Sequence, residues 1–136
     1  MKELKLMASD GTLQQVLSEI ENCLTENGCP AKLITPILIA AEEIYVNIAH
    51  YAYGGKEGEA KVGMEVTSDP KRCRLVFKDR GIPYNPLEKE DPDITLKAED
   101  RPIGGLGIYM VKEMMDSVEY EYKDGQNILI MEKVLS

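Results

Sequence analysis

Between Thr35 and Gly55 the chain passes through Ile37, Leu38, Ile39, Ala40, Ala41, Ile44, Val46, Ile48 and Ala49. A helix this apolar leaves few positions for water and belongs inside a fold. Ile37, Ala41, Ile44 and Ile48 recur at helical spacing, so Thr35-Pro36 is expected to open the helix as N-cap and first-turn proline. Gly54-Gly55 is expected to close it. Glu43 and Asn47 break the apolar pattern. They stack on one helix face, about 100° from the stripe by 3.6-residue geometry, and so flank the core. Two solvated side chains are the plain alternative, but the apolar surroundings weigh against it. A carboxylate there can take a proton from a hydroxyl or water. An Asn oxygen is a hard, neutral ligand suited to Mg²⁺.

The other elements follow from period and punctuation. Glu3–Met7 alternates and reads as a strand. Leu13, Val16, Leu17, Ile20 and Leu24 define a helix capped by Ser9 or Asp10 and stopped by Asn27-Gly28. Strands are expected at about 60–67 and 73–78, joined through Ser68-Asp69-Pro70. Residues 106–117 read as a helix, and 118–122 and 127–134 as strands joined by Asp124-Gly125. The segment 87–103 is rich in Asp, Glu and Pro without a period, and a loop this long in a compact domain is usually functional or mobile. The expected architecture is one α+β domain over residues 1–136, a two-layer sandwich. Its helices lie on one face of a mixed, mainly antiparallel sheet.

Two further stretches carry chemistry. Asp79 ends an apolar strand in Asp79-Arg80-Gly81-Ile82-Pro83-Tyr84-Asn85-Pro86. Such a carboxylate can accept an exocyclic amine while Gly81 lets a base approach the backbone; an ordinary Asp-x-Gly turn is the plain alternative. The two prolines stiffen the run around Tyr84. Gly104-Gly105-Leu106-Gly107 opens a helix, where amides free of side-chain bulk suit an anion. It is no P-loop, because no Gly-Lys-Ser/Thr follows, and no dinucleotide fingerprint, because a third glycine would fall at Met110. His50 is the sole histidine and makes no metal site by itself.

Charge and cysteine content narrow the classes. A formal charge of −8 with no basic stretch speaks against nucleic acid as a partner. An acidic chain that binds a polyphosphate needs local compensation, for which a divalent cation and a helix N-terminus serve. Cys23, Cys29 and Cys73 show no metal spacing and an odd count, which suits reduced thiols and a cytoplasmic location. No uninterrupted run approaches the ~18 apolar residues of a membrane span, and the N-terminus lacks a signal peptide's apolar core.

In order and spacing, the Glu-x-x-x-Asn box, the Asp-x-Gly-x-Pro-aromatic-Asn-Pro box and the Gly-Leu-Gly helix start resemble the GHKL, or Bergerat-fold, ATP-binding superfamily. More narrowly, they resemble the bacterial anti-sigma-factor serine/threonine kinases, over about Leu13 to Lys133. The resemblance implies that Glu43 is the general base and Asn47 the Mg²⁺ ligand. It implies ATP contacts from Asp79 to the adenine amine, from Gly81 and Pro83 beside it, and from Arg101, Gly104, Gly105, Leu106 and Gly107 around the phosphates. Residues 87–103 would form the ATP lid. The implied reaction is phosphorylation of a small anti-anti-sigma (STAS-type) protein, with sequestration of a sigma factor, and homodimerisation is a family expectation. Two positions depart from the pattern. Tyr51 stands where a histidine is usual, with His50 displaced by one, and Asn127 stands where a threonine often precedes the last strand. The competing reading is a nucleotide-gated binding module without significant phosphotransfer. A histidine-kinase catalytic domain fits less well, since no phosphoacceptor helix pair is present in the sequence.

Overall fold

The fold is that of a computed structural model, which describes residues 1–88 and 106–135. In chain order the elements are β1 (Lys2–Met7), α1 (Leu13–Glu26), α2 (Ala31–Asn47), β2 (Glu59–Thr67), β3 (Arg72–Asp79), α3 (Leu106–Met114), β4 (Ser117–Lys123) and β5 (Gln126–Val134). The strands form one sheet in the order β1-β2-β3-β5-β4. Each neighbouring pair is antiparallel, so among the described residues the sheet is wholly antiparallel where a mixed, mainly antiparallel one is expected from the sequence.

Strand periodicity decides which face is covered. Ala60, Val62 and Met64 on β2 alternate inward, as do Cys73, Leu75 and Phe77 on β3 and Leu129 and Met131 on β5. They meet Val16, Ile20 and Leu24 of α1, Ile37, Ala41 and Ile44 of α2, and Ile108 and Val111 of α3 in one core. Burying eight or more such side chains, at roughly 1.5–3 kcal/mol each, is the main favourable term holding the helices to the sheet.

The second helix begins earlier than Thr35. It starts at Ala31 behind Pro30, and Pro36 lies inside it. A proline there has no amide for the Lys32 carbonyl and crowds that carbonyl with its ring. Leu33 and Ile34, packed against the core, hold the extra turn in place, and the Leu33 amide donates to the Pro30 carbonyl at 2.9 Å. Tertiary packing overrides the local stop signal. At its other end α2 widens into a π-type turn, Ile48–Ala52. Helix and turn together make 22 residues, within which an 18-residue window has mean hydropathy 1.2, by length and composition alone enough to cross a membrane. One side of it is used internally, with Ile37, Ala40, Ala41, Ile44 and Tyr45 buried under the sheet.

The third helix ends at Met114 instead of residue 117. The Asp116 amide leaves the helix and donates to the Glu132 carbonyl of β5 at 2.9 Å, which starts β4 one residue later. The Asp124-Gly125 turn has φ of 55° and 75°, the left-handed pair that a tight hairpin between twisted strands requires. Residues 87 and 88 lie in a short 3-10 turn, Pro86–Glu88. The remainder of the expected lid, with Arg101, Gly104 and Gly105, lies outside the described residues.

Candidate active site

Asp79 is the last residue of β3 and keeps the inward phase of Cys73, Leu75 and Phe77, so the pleat aims it at the helix layer. It is 7% exposed. Its Oδ1 accepts the Gly81 amide at 2.9 Å and the Asn127 Nδ2 at 2.9 Å. Asn127 is its cross-strand partner on β5, equally buried, and its carboxamide is fully used. Nδ2 also donates to the Ile82 carbonyl at 3.0 Å, while Oδ1 accepts the Tyr84 amide at 3.1 Å and the Tyr120 hydroxyl. Burial pushes the Tyr120 phenol above its ordinary value, which keeps it a donor. With Oδ1 doubly engaged, Oδ2 is the oxygen of Asp79 left for a ligand's N–H.

Gly81 is demanded by the protein's own backbone. A Cβ there would stand 2.1 Å from the Ala52 carbonyl oxygen, and the next amide, of Ile82, donates to that oxygen at 2.8 Å. The loop after β3 is therefore seated on the turn that ends α2. Tyr53 adds a second tie, its hydroxyl accepting the Arg80 amide at 2.8 Å and donating to the Glu59 carbonyl.

At the opposite end Glu43 and Asn47 are half-buried, one turn apart on α2, with Asn47 Nδ2 donating to Glu43 Oε1 at 3.4 Å. The first turn of α3 presses on Glu43. A Cβ on Gly107 would stand 2.0 Å from Glu43 Oε1, so glycine is what lets the helix start approach the carboxylate. Asn47 spends its nitrogen on Glu43 and keeps its oxygen, the atom a hard cation takes. No cluster of three His, Cys, Asp or Glu side chains suited to a metal exists among the described residues.

Both ends open into one cleft of about 710 Å³. Its floor is apolar, with Ile44, Ile48, Phe77, Ile108 and Leu129, and its rim carries Tyr51, Ile82, Pro83 and Tyr84. An apolar hollow of this size with a few convergent polar groups is the usual form of a small-molecule site. Glu43, Asn47, Asp79, Pro83 and Gly107 all line it; Gly81 supports it from behind. Leu106 begins α3, one residue before Gly107.

The histidine kinase-like ATPase domain family model matches residues 6–133. The chain belongs to this family. As a histidine kinase-like ATPase domain it is similar to the serine-protein kinase RsbW of Bacillus pumilus, 25% identical over 131 residues that cover 93% of this chain and 81% of that protein. It is 29% identical over 101 residues to the serine-protein kinase RsbW of Bacillus cereus, covering 71% of this chain and 62% of that one. Its fold is similar to a crystal structure of the RsbU and RsbW domains of a Mycobacterium tuberculosis protein. That match has a TM-score of 0.63 at 16% identity and covers 99% of this chain and 33% of the other.

In this ATPase domain Asn127 and Tyr120 also line the cleft, and the sequence motifs assign neither. Asn127 stands out in sequence only as a departure from threonine, and its place beside Asp79 depends on the β3–β5 register. Tyr120 carries no sequence signal beyond its inward phase in β4. Tyr51, at the usual histidine position, is 68% exposed on the cleft rim. His50 faces away and pairs through Nε2 with Asp10 Oδ1 at 2.8 Å.

Proposed function

We propose that this domain is an anti-sigma factor with ATP-dependent serine/threonine kinase activity. It phosphorylates a small anti-anti-sigma protein and sequesters a sigma factor. The observation that carries the reading is that Glu43 with Asn47, and Asp79 with Asn127, stand at opposite ends of a single cleft. The names of the relatives, serine-protein kinases, point the same way.

The roles follow from the groups available. Asp79 Oδ2 accepts the exocyclic amine of adenine, and a guanine carbonyl in that place meets a carboxylate with no proton to give. Ile44, Ile48, Phe77 and Leu129 bury the base. The Asn47 oxygen would hold Mg²⁺, which when bound would supply charge neutralisation to the phosphates. Gly107, at the start of α3, offers a helix N-terminus to the phosphates without side-chain bulk. Glu43 orients the acceptor hydroxyl and takes its proton as the new P–O bond forms. Phosphoryl transfer needs positioning and charge neutralisation more than covalent assistance from the protein.

The test is transfer of label from γ-labelled MgATP to small STAS-type proteins of the same genome. Labelling of one such protein on serine or threonine, abolished by Glu43→Ala with MgATP affinity retained, supports the reading. Release of a bound sigma factor that is indifferent to Glu43→Ala, with no labelling, identifies a nucleotide-gated binder instead.

A further inference from the structure

A second hollow, about 290 Å³, lies between α2 and α3 on the far side of Glu43. Glu43 and Gly107 line both this hollow and the main cleft, and so form the wall between them. Its other lining side chains are mainly aliphatic or thioether, with Ile39, Val46, Met110 and Met114 among them, and one further carboxylate, Glu42. Ile39 and Met110 are each 40% exposed. Single exposed apolar side chains are ordinary. These two differ because they face one hollow whose inner wall is the carboxylate assigned as base.

We propose that the hydroxyl-bearing segment of the protein substrate reaches Glu43 through this α2–α3 groove. The groove selects a serine or threonine flanked by an aliphatic side chain and by a basic residue. The inference rests on reading the main cleft as the MgATP site. In phosphoryl transfer the attacking and leaving oxygens lie roughly in line on opposite sides of phosphorus. With the base at Asp79 and the phosphates toward Glu43, the nucleotide fills the main cleft, and the acceptor must come from beyond Glu43. The α2–α3 groove is the space there. The acceptor Oγ forms its bond to Pγ as the bond from Pγ to the β-phosphate oxygen breaks. That electron pair leaves with ADP, and the hydroxyl proton passes to the Glu43 carboxylate. Nothing is oxidised or reduced.

The lining then sets the flanking residues. Methionines at positions 110 and 114 are adaptable apolar surfaces for an aliphatic neighbour of the acceptor. Glu42, exposed beside Glu43, attracts a cationic side chain and repels an acidic one, which gives selectivity by exclusion as well as by contact.

The experiment uses the full chain, γ-labelled MgATP and three synthetic serine peptides. One has leucine and lysine beside the serine, one has leucine and glutamate, and one has glycine on both sides. The lysine peptide is expected to be labelled with kcat/KM about tenfold above the other two, the scale for gaining or losing one side-chain contact in a pocket. Glu42→Lys removes or reverses the preference between lysine and glutamate. Met110→Asp lowers labelling of the lysine peptide about tenfold. Both variants keep the MgATP Kd of the unmodified chain. Equal labelling of all three peptides overturns the inference, as does Met110→Asp with unchanged kcat/KM. MgATP bound and slowly hydrolysed with no peptide labelled also overturns it. A chain that does not bind MgATP overturns the underlying reading of the main cleft instead, and calorimetry separates that result from the others.

Discussion

Gly81 and Gly107 are both pressed against a neighbouring oxygen, but the two oxygens differ in their freedom to move. A methyl at position 81 meets the Ala52 carbonyl, part of a backbone turn that cannot shift alone. Gly81→Ala is therefore expected to cost about 1–3 kcal/mol by overpacking, read as a fall in Tm of roughly 4–10 °C. A methyl at position 107 meets the end of the flexible Glu43 side chain, which can swing away. Gly107→Ala is expected to leave Tm within about 2 °C while cutting the proposed phosphotransfer at least ~10-fold, since under that proposal a displaced Glu43 no longer meets the acceptor. Thermal melts and single-turnover labelling of the two variants check this contrast. Cys73 offers a different handle. It is 1% exposed, and burial pushes its thiol from 9.0 up to about 12. Below pH 9 folded and unfolded chains both keep that proton, and the contribution is complete. Between pH 9 and about 12 only the unfolded chain releases it, so stability falls as pH rises through that window, by on the order of 4 kcal/mol at its upper end. Urea unfolding at pH 8 and pH 10.5 is expected to show a smaller alkaline loss in Cys73→Ala than in the unmodified chain.

At the scale of elements, α2 carries both the core stripe and the Glu43-Asn47 pair, so its start fixes their depth. Pro36 removes one bond from its second turn. Pro36→Ala restores that bond and is expected to stabilise the fold by about 1–2 kcal/mol, the helix gain less the unfolded-chain flexibility it adds; a Tm that fails to rise would contradict this. This helix also shows why some of the fold is legible in sequence and some is not. Its apolar stripe and its polar pair follow from spacing alone. Its true start does not, because Thr35-Pro36 is a sound local signal that loses only to the packing of Leu33 and Ile34. The end of α3 is hidden for a like reason, since Asp116 is claimed by the β5 carbonyl of Glu132, a partner distant in sequence. The Asp124-Gly125 hairpin, fixed by two local backbone angles, is legible in full. The site divides along the same line. Glu43, Asn47 and Asp79 stand out by residue type and spacing, whereas Asn127 joins them only through the β3–β5 register.

For the whole molecule, the arrangement joins segments far apart in the chain. The π-type turn after α2, the loop after β3, the start of α3 and the start of β5 all contribute to one cleft. Asn127 is the bond between two of these segments. Asn127→Ala strips a donor from Asp79 and removes the hydrogen bonds that Asn127 makes with the Ile82 carbonyl and the Tyr120 hydroxyl. Its expected cost is about 2–4 kcal/mol, accompanied by weaker MgATP binding and unchanged affinity for magnesium tripolyphosphate, which has no base to place. Loss of tripolyphosphate binding to the same degree would assign Asn127 to the scaffold alone. The central claim is that the cleft reads adenine at one end while its phosphate end meets Glu43. Its most direct measurement is calorimetric titration of the full chain with MgATP and MgGTP, repeated on Asp79→Asn, a substitution that keeps an oxygen for Gly81 and Asn127. The account predicts ATP bound at least ~10-fold more tightly than GTP, from one charge-assisted hydrogen bond, with the preference gone in the variant. Equal affinity of the unmodified chain for the two nucleotides would contradict it.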